Sequence, residues 1–322
     1  MSVSTRSITR PTTRPTTRRR TLAAAATGAV LALVLAACGS SSTAPARPGT
    51  GHGGSAAASA PSGPMPSTGD GMDGMDGMPG MGIPAGNGLA AEQDGYRLDS
   101  TIATLPAGQA VSYRFTVAGP DGRPVTDFAV DQTKPMHFYA IRADLTGYQH
   151  VHPVPAADGT WSVDLAALQA GTWRLYASFT PDSGPGKGTD HVLSRTVTVP
   201  GRATDTPLPA AAPSTTVDGY TVTVQGEPMA GMAHPLTVTI TKDGRPVTDL
   251  QPYLDTYAHI SAFHEGDQAF AHLHPETRVD GDHGGPVLAF HAELATSGNW
   301  RTFLQFQTAG QLHTAALTLH VA

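Results

Sequence analysis

The chain contains an internal duplication, which limits it to a small set of folds. Residues 121–127 return without a change at 243–249. The copies lie about 120 residues apart, which is far too long for one unit of a solenoid. The sequence therefore predicts two tandem domains of one fold. Shorter matches are Asp-Gly-Tyr at 94–96 and 218–220, and His-x-His-Pro at 150–153 and 272–275.

The repeat and the composition together set the limits of these domains. The repeat predicts a first domain at 94–199 and a second at 218–322. Residues 200–217 between them are rich in Pro, Ala and Thr, as linkers are. Residues 38–93 consist mainly of Gly, Ser, Ala, Pro and Thr, with almost no large aliphatic side chain. Such a segment cannot bury a core, so we expect a disordered tether.

Both copies show the alternation that is typical of β-strands. Residues 111–117 and 236–240 alternate apolar and polar side chains with a period of two, as half-buried strands do. The 36 glycines and 27 prolines oppose long helices, and no segment carries a long apolar stripe at helical spacing. About seven short strands in each copy fit an immunoglobulin-like sandwich. We predict an all-β protein with two tandem immunoglobulin-like β-sandwich domains.

The amino-terminal region has the pattern of an export signal. Residues 1–20 are polar and arginine-rich, and the apolar residues 22–37 are only 16 long, too short for a comfortable membrane span. They end in Leu-Ala-Ala-Cys at 35–38, which resembles the lipobox of bacterial lipoproteins. The resemblance implies cleavage before Cys38 and a lipid anchor at the extracytoplasmic face of the cell membrane. The alternative is an ordinary secretory signal, and residues 17–22 loosely match a twin-arginine signal.

The charge distribution excludes nucleic acid as a partner. Six of the 20 basic residues are arginines that precede Cys38, whereas all 26 acidic residues follow it. The body of the protein is therefore acidic, while nucleic-acid binding needs clustered Lys and Arg. Since Cys38 is the only cysteine, the chain has neither an intrachain disulfide nor a cysteine-based zinc cluster.

Histidines carry the main functional signal, because four of them recur at similar places in the two copies. In a strand, residues i and i+2 share a face, so His-x-His presents two imidazoles side by side. Imidazole is a common ligand for copper and zinc, and we predict one metal site per domain at a sandwich edge. The alternative is structural: core histidines bonded to backbone carbonyls, and a rigid turn at His-x-His-Pro. The candidate ligands are His137, His150, His152 and His191, and His259, His272, His274 and His313.

Methionines suggest additional ligands. Thioether sulfur is soft and selects Cu(I), and it has no proton to lose at acidic pH, whereas exposed imidazoles protonate near a pKa of about 6.5. Two alternatives do not involve metal. The tether methionines could belong to a short Gly-Met-Asp repeat without function, and those of the second copy could fill the end of the sandwich. The candidates are Met72, Met75, Met78 and Met81 in the tether, and Met229, Met232 and His234 in the second copy.

Both copies resemble a family of secreted actinobacterial proteins that are often labelled heavy-metal-binding. The resemblance covers the two domains and not the tether, and it implies a YtkA-like or CopC-like β-sandwich. The second copy has Ala258 where the first has Met136, so a methionine ligand is not common to both. The matching segments are 136–145 and 148–153, and then Asp249, 252–254, His259, 272–275, 290–293 and 313–316.

These patterns favour a binding function over an enzymatic one. No Gly-x-Ser-x-Gly, P-loop or dinucleotide fingerprint occurs, so we predict that the protein is not an enzyme. We predict a membrane-anchored lipoprotein that binds and handles copper, with zinc as the second candidate ion. The competing hypothesis is an interaction module without metal, in which the tether holds two sandwiches off the membrane to bind another envelope protein.

Overall fold

The computed structural model describes residues 86–322. The predicted signal peptide, Cys38 and the tether methionines Met72, Met75, Met78 and Met81 lie outside these residues. Between residues 86 and 322, no helix has the length and apolar character needed to cross a membrane. All regular structure in this part of the chain is β-strand, which confirms the predicted fold class.

Each domain contributes nine strands within the described residues. The first domain has β1 (Glu92–Gln93), β2 (Tyr96–Asp99), β3 (Val111–Ala118), β4 (His137–Arg142), β5 (Gln149–Val151), β6 (Val154–Pro155), β7 (Thr160–Leu165), β8 (Gly171–Phe179) and β9 (His191–Val199). The second has β10 (Ser214–Val217), β11 (Tyr220–Gln225), β12 (Ala233–Lys242), β13 (Arg245–Pro246), β14 (Ala258–His264), β15 (Phe270–Pro275), β16 (Val287–Glu293), β17 (Gly298–Thr308) and β18 (Gln311–Val321).

The strands of the first domain form two sheets, in the orders β1-β2-β3-β7-β6 and β5-β4-β8-β9. The second domain repeats this arrangement, with β14, β15, β17 and β18 in the places of β4, β5, β8 and β9. Its two sheets are continuous, because β15 pairs with β14 and also with β16. In the first domain Pro153 separates β5 from β6, so each of these short strands stays with its own sheet.

Each sandwich has its own apolar core. Trp161 and Trp173 are fully buried in the first, and Trp300 in the second. The indole N–H groups of Trp173 and Trp300 each donate to the carbonyl oxygen four residues earlier. Burial of large aromatic side chains contributes strongly to folding, and a buried indole needs such an acceptor. The structure therefore contains two immunoglobulin-like sandwiches.

A third apolar cluster joins the outer faces of two sheets, one from each domain. In β4, residues 138 and 140 point into the first sandwich core, whereas Tyr139 and Ile141 point towards the second domain. The ring of Tyr148 stacks on that of Phe303 with centroids 4.2 Å apart, and its hydroxyl bonds to Ser261. This interface cluster holds the sheets that carry the histidines against each other. Its members are Tyr139, Ile141, Leu145, Tyr176, Val192, Phe263, Phe270 and Phe303.

Strand structure extends beyond both predicted domain boundaries. Residues 86–93, which the composition places in the tether, include strand β1, and Gly88 is buried between the domains with a φ of +69°. A Cβ at Gly88 would lie 3.0 Å from Val192 and 3.1 Å from Phe270, so only glycine fits there. The predicted linker likewise ends in strand β10.

The linker itself is fastened to the first domain. Arg142 and Asp144 form a buried ion pair. The guanidinium also donates to the carbonyl oxygen of Thr204, and the Asp144 carboxylate accepts from the Thr206 amide. These bonds oppose the burial that would raise the pKa of Asp144, and hold it well below its usual range.

Candidate metal centre

Strand alternation places the histidines of the first domain. His137 begins β4 on the same face as Tyr139, which is the face that contacts the second domain. His150 lies in β5 opposite Tyr139 and stacks on its ring with centroids 4.5 Å apart. His152 follows β5 directly, before Pro153. The sequence therefore brings these histidines to the outer face of a sheet, on its edge strand β5 and the neighbouring strand β4.

His137, His150 and His152, called the triad below, form one compact group. The Nδ1 atom of His137 lies 3.0 Å from the Nε2 atom of His150. The ring of His152 has its centroid 5.1 Å from that of His137 and 4.9 Å from that of His150. Each ring offers one nitrogen, and these three nitrogens all lie within 4.8 Å of one another.

The hydrogen bonds of two rings determine which nitrogens carry lone pairs. His137 Nε2 lies 3.1 Å from the carbonyl oxygen of Asp131, and His150 Nδ1 lies 2.8 Å from the amide oxygen of Gln305. Both oxygens only accept, so both ring nitrogens must donate. In neutral imidazoles, the opposite nitrogens then carry lone pairs. Two lone pairs therefore face each other across 3.0 Å between His137 and His150.

Burial keeps the triad neutral. It lowers the pKa of His137, and it lowers that of His150 further, with an added contribution from the neighbouring His137. The same causes, together with Lys134, lower the pKa of His152 to about 4. Desolvation penalises the charged imidazolium, so a shared proton between the rings is disfavoured at neutral pH.

A transition-metal ion fits this arrangement. Nitrogen ligands at 2.0–2.1 Å from a tetrahedral ion are about 3.3 Å apart, close to the His137–His150 separation. The Nε2 atom of His152 is buried and has no hydrogen-bond partner within the described residues, so it remains available as a third ligand. Two of the imidazoles are also held by acceptors on their other nitrogens, as metal-bound histidines usually are. The donor set suits zinc and copper, both of which bind neutral imidazole.

The second domain places a related pair beside the triad. His259 Nε2 donates to the carbonyl oxygen of Tyr253, as His137 does to Asp131, and His259 Nδ1 is buried without a partner in the described part of the chain. The ring of His259 lies 6.2 Å from that of His150 and 6.2 Å from that of His272. The backbone of His274 pairs with His291 between β15 and β16. His137 and His259 therefore make the bonds to backbone carbonyl oxygens that the structural alternative predicts, and they also lie in a cluster of histidines.

His191 and His313 do not join these groups, which corrects the predicted set of four histidines per domain. His191 lies on the inner face of its sheet, against Tyr96 and Phe179. His313 packs likewise on Tyr220, and its Nδ1 atom bonds to Asp218 at 2.7 Å. The fixed alternation of a strand gives the physical reason. His191 precedes Val192, which points to the interface cluster, so His191 itself points inward.

The candidate ligands Met229, Met232 and His234 are not members of the triad. Met229 and Met232 are exposed in a turn before β12, and Ala230 between them bonds to the carboxy-terminal Ala322. The methionines therefore do not plug the sandwich end. His234 Nε2 is buried without a partner among residues 86–322. The remaining histidines of this domain with side-chain carboxylate partners are His264 with Asp267, His283 with Asp282, and His291 with Glu276.

Sequence reasoning missed the contribution of Gln305. This residue lies in β17 of the second domain, 155 positions from the histidine that it contacts. Its only sequence signal was a polar side chain in a strand of large apolar residues. Alternation identifies such a residue as facing away from its own core, but not as facing another domain.

The comparisons with known proteins agree with the duplication. The sequence profile of a family described as domain of unknown function DUF8832 matches residues 91–200 and again residues 215–322. No curated protein matches the sequence significantly.

Solved structures also match the chain over about 70% of its length, at low identity and low TM-score. The Escherichia coli adhesin FdeC is 15% identical with a TM-score of 0.23, covering 72% of this chain and 66% of the adhesin chain. The Ig1-2 module of the Drosophila receptor protein tyrosine phosphatase DLAR is 11% identical with a TM-score of 0.20, covering 70% and 98%. The fibronectin(III)-like modules of Clostridium thermocellum CbhA are 12% identical with a TM-score of 0.16, covering 70% and 93%.

Proposed function

This chain belongs to the family described as domain of unknown function DUF8832, and we propose its function from the site itself. The protein binds a transition-metal ion at the triad. One observation carries the proposal. Two buried, neutral imidazoles turn their lone pairs towards each other at 3.0 Å, beside a third imidazole with a partnerless nitrogen. An ion between them removes the repulsion of the lone pairs and satisfies all three rings.

Copper is the ion that we favour, with zinc as the second candidate. Three imidazoles suit either ion, and copper binds such sites more tightly than zinc in the general order of affinities. The methionine run at 72–81 adds soft ligands for Cu(I) elsewhere in the same chain. Binding and handling of the ion, without catalysis, is the role that we assign.

We place this function at the extracytoplasmic face of the membrane. The apolar segment 22–37 followed by Cys38 supports export and lipid attachment, and the following Gly/Ser-rich residues give the domains reach from an anchor. Replacing Cys38 with Ala is expected to release the protein from the membrane fraction into a soluble one. A variant that stays as firmly bound as the wild type would contradict the anchor.

Metal analysis of the purified protein tests the binding itself. After exposure to Cu(II) or Zn(II) and gel filtration, the wild type is expected to retain at least one ion per chain, measured by mass spectrometry. The double variant His150→Ala/His152→Ala should lose the tightest-bound ion. His283→Ala is the matched control, because His283 is exposed and bonds to Asp282. It should retain the metal.

The result also separates binding from the competing hypothesis of a metal-free interaction module. A wild-type protein that stays free of metal at micromolar copper, with its fold intact by circular dichroism, would leave the interaction module as the better account. Equal metal retention by the wild type and the double variant would show that the triad is not the site.

A further inference from the structure

We infer that the metal centre belongs to both domains. Gln305 of the second domain orients His150, a ligand from the first domain, so tight metal binding requires that the two domains are docked. This inference rests on the proposed function and adds a positioning residue to it. It differs from the expectation of one independent site in each domain, since a residue of one domain determines the lone-pair geometry of the other.

The contact that carries the inference is short and buried. Gln305 is only 5% exposed, and its amide oxygen lies 2.8 Å from His150 Nδ1. Its amide nitrogen donates to the hydroxyl oxygen of Thr314 at 3.3 Å. With its oxygen facing His150, the amide accepts the Nδ1–H and so selects the tautomer that is protonated at Nδ1. The Nε2 lone pair of His150 then points at His137, where the ion would lie.

The first domain has no equivalent of Gln305. Gln305 lies opposite His259 in the β14–β17 ladder, and the residue opposite His137 in the matching β4–β8 ladder is Ser178. A serine side chain is too short to reach an imidazole across the interface in the same way. The second domain thus supplies an acceptor to His150, and the equivalent position of the first domain carries no side chain of that length.

The interface cluster determines where Gln305 lies relative to His150. Phe303, two residues before Gln305 on the same face of β17, stacks on Tyr148, two residues before His150. Tyr148 also bonds to Ser261 at 3.1 Å. These contacts connect the strand that carries the acceptor to the segment that carries the ligand. The second domain also brings the imidazole of His259 close to the triad, with its ring centroid 6.2 Å from that of His150.

Loss of such a hydrogen-bond partner has a known range of effects. Outer partners of metal-bound histidines fix the ring orientation and raise its basicity, and their removal typically costs about 10- to 100-fold in metal affinity. We expect the same loss for the triad when Gln305 can no longer accept, although Gln305 itself touches no ion.

Substitutions of Gln305 in the full chain test the inference with Zn(II) as the probe. Gln305→Leu keeps the side-chain size but cannot accept, so the Zn(II) affinity, measured by chelator competition at pH 7.5, should fall about 10- to 100-fold. Gln305→Glu retains an acceptor and should restore the affinity. Gln307→Leu is the matched control: Gln307 lies on the same strand and bonds to Gln251 within the second domain. It should bind like the wild type.

A spectroscopic readout separates orientation from simple destabilisation. The Cu(II) electron paramagnetic resonance spectrum should change in Gln305→Leu and return in Gln305→Glu, because ligand orientation changes with the acceptor. If Gln305→Leu fails to fold by near-ultraviolet circular dichroism, Gln305→Ser provides the second variant, with the residue that the first domain has at this position. It should show the same loss.

The outcomes distinguish this inference from the function on which it rests. Unchanged Zn(II) affinity and an unchanged Cu(II) spectrum in folded Gln305→Leu or Gln305→Ser, with loss of metal in His150→Ala/His152→Ala, would overturn the shared centre and keep the triad as a site of the first domain. A wild-type chain that binds neither ion would overturn both.

Discussion

In the first domain the ring centroids of His137 and His150 lie 5.3 Å apart, whereas those of the equivalent His259 and His272 in the second domain lie 6.2 Å apart. The surroundings of the two pairs explain the difference. His150 stacks on Tyr139, but the strand partner of His272 is the small Ser261. The ring of Tyr139 thus lies against the first imidazole, and a serine occupies the position of that tyrosine in the second domain.

The small side chain of Ser261 also matters for the contact between the domains. Because Ser261 is small, Tyr148 of the first domain reaches over it, bonds to its hydroxyl and stacks on Phe303. Ser261 and Phe303 of the second domain thus form part of the docking surface for the first domain. The two copies share the same backbone pairing on these faces but differ in side chains at the contact, where one face carries the triad and the other carries Gln305.

The largest expected effect comes from substituting equivalent histidines. His150→Ala should lower Zn(II) affinity at the tightest site by at least about 100-fold, which exceeds the usual loss of an outer partner. His272→Ala should have a clearly smaller effect on that site, since His272 lies outside the triad. Chelator competition on both variants measures the ratio. Equal losses would show that the two copies contribute equally, against the comparison drawn above.

A second substitution tests whether Met136 belongs to the site. Met136 is 1% exposed and packs in the first sandwich core, so the Met136/Ala258 difference concerns packing. Met136→Ala should lower the free energy of unfolding by about 2–5 kcal/mol, as large-to-small core changes do. Urea denaturation of the metal-free protein measures this, with Met136→Leu as the nearly neutral control. Reduced metal content in folded Met136→Leu would instead indicate a sulfur ligand.

The fold and part of the site were predictable from the sequence for physical reasons. Period-two alternation and repeated turns favour sandwiches, and i, i+2 spacing places His150 and His152 on one face. Alternation also excludes His191, but only once the first residue of its strand is known. The role of Gln305 was not predictable, because it depends on how two folded domains dock, and no local pattern encodes that contact.

The pH dependence of binding gives a smaller effect that tests burial. Neutral imidazoles bind metal, so binding is lost as the pH falls through the pKa values of the folded protein. Burial lowers these pKa values, that of His152 to about 4, so the triad should still bind Zn(II) near pH 5.5, where exposed imidazoles are largely protonated. Chelator competition between pH 4 and 7.5 measures the midpoint, with an unfolded peptide spanning residues 148–153 as control. Midpoints near 6.5 for both would contradict a desolvated site.

The smallest expected effect contrasts the triad with the methionine run of the tether. Thioethers at 72, 75, 78 and 81 suit Cu(I), and the glycines between them let the backbone curl around an ion. Ordering such a segment costs conformational entropy, so its deletion should lower Cu(I) affinity by less than about tenfold.

The contrast is sharpest under reducing conditions at two pH values. A variant lacking residues 70–82 should lose part of its Cu(I) binding and keep its Zn(II) binding, because the triad lies in the folded domains. The lost part should be the one that persists at pH 4, since thioethers carry no titratable proton while the triad approaches the pKa of His152, about 4. If the deletion leaves both Cu(I) titrations unchanged, the methionines serve only as linker, and the imidazoles account for all metal binding by the chain.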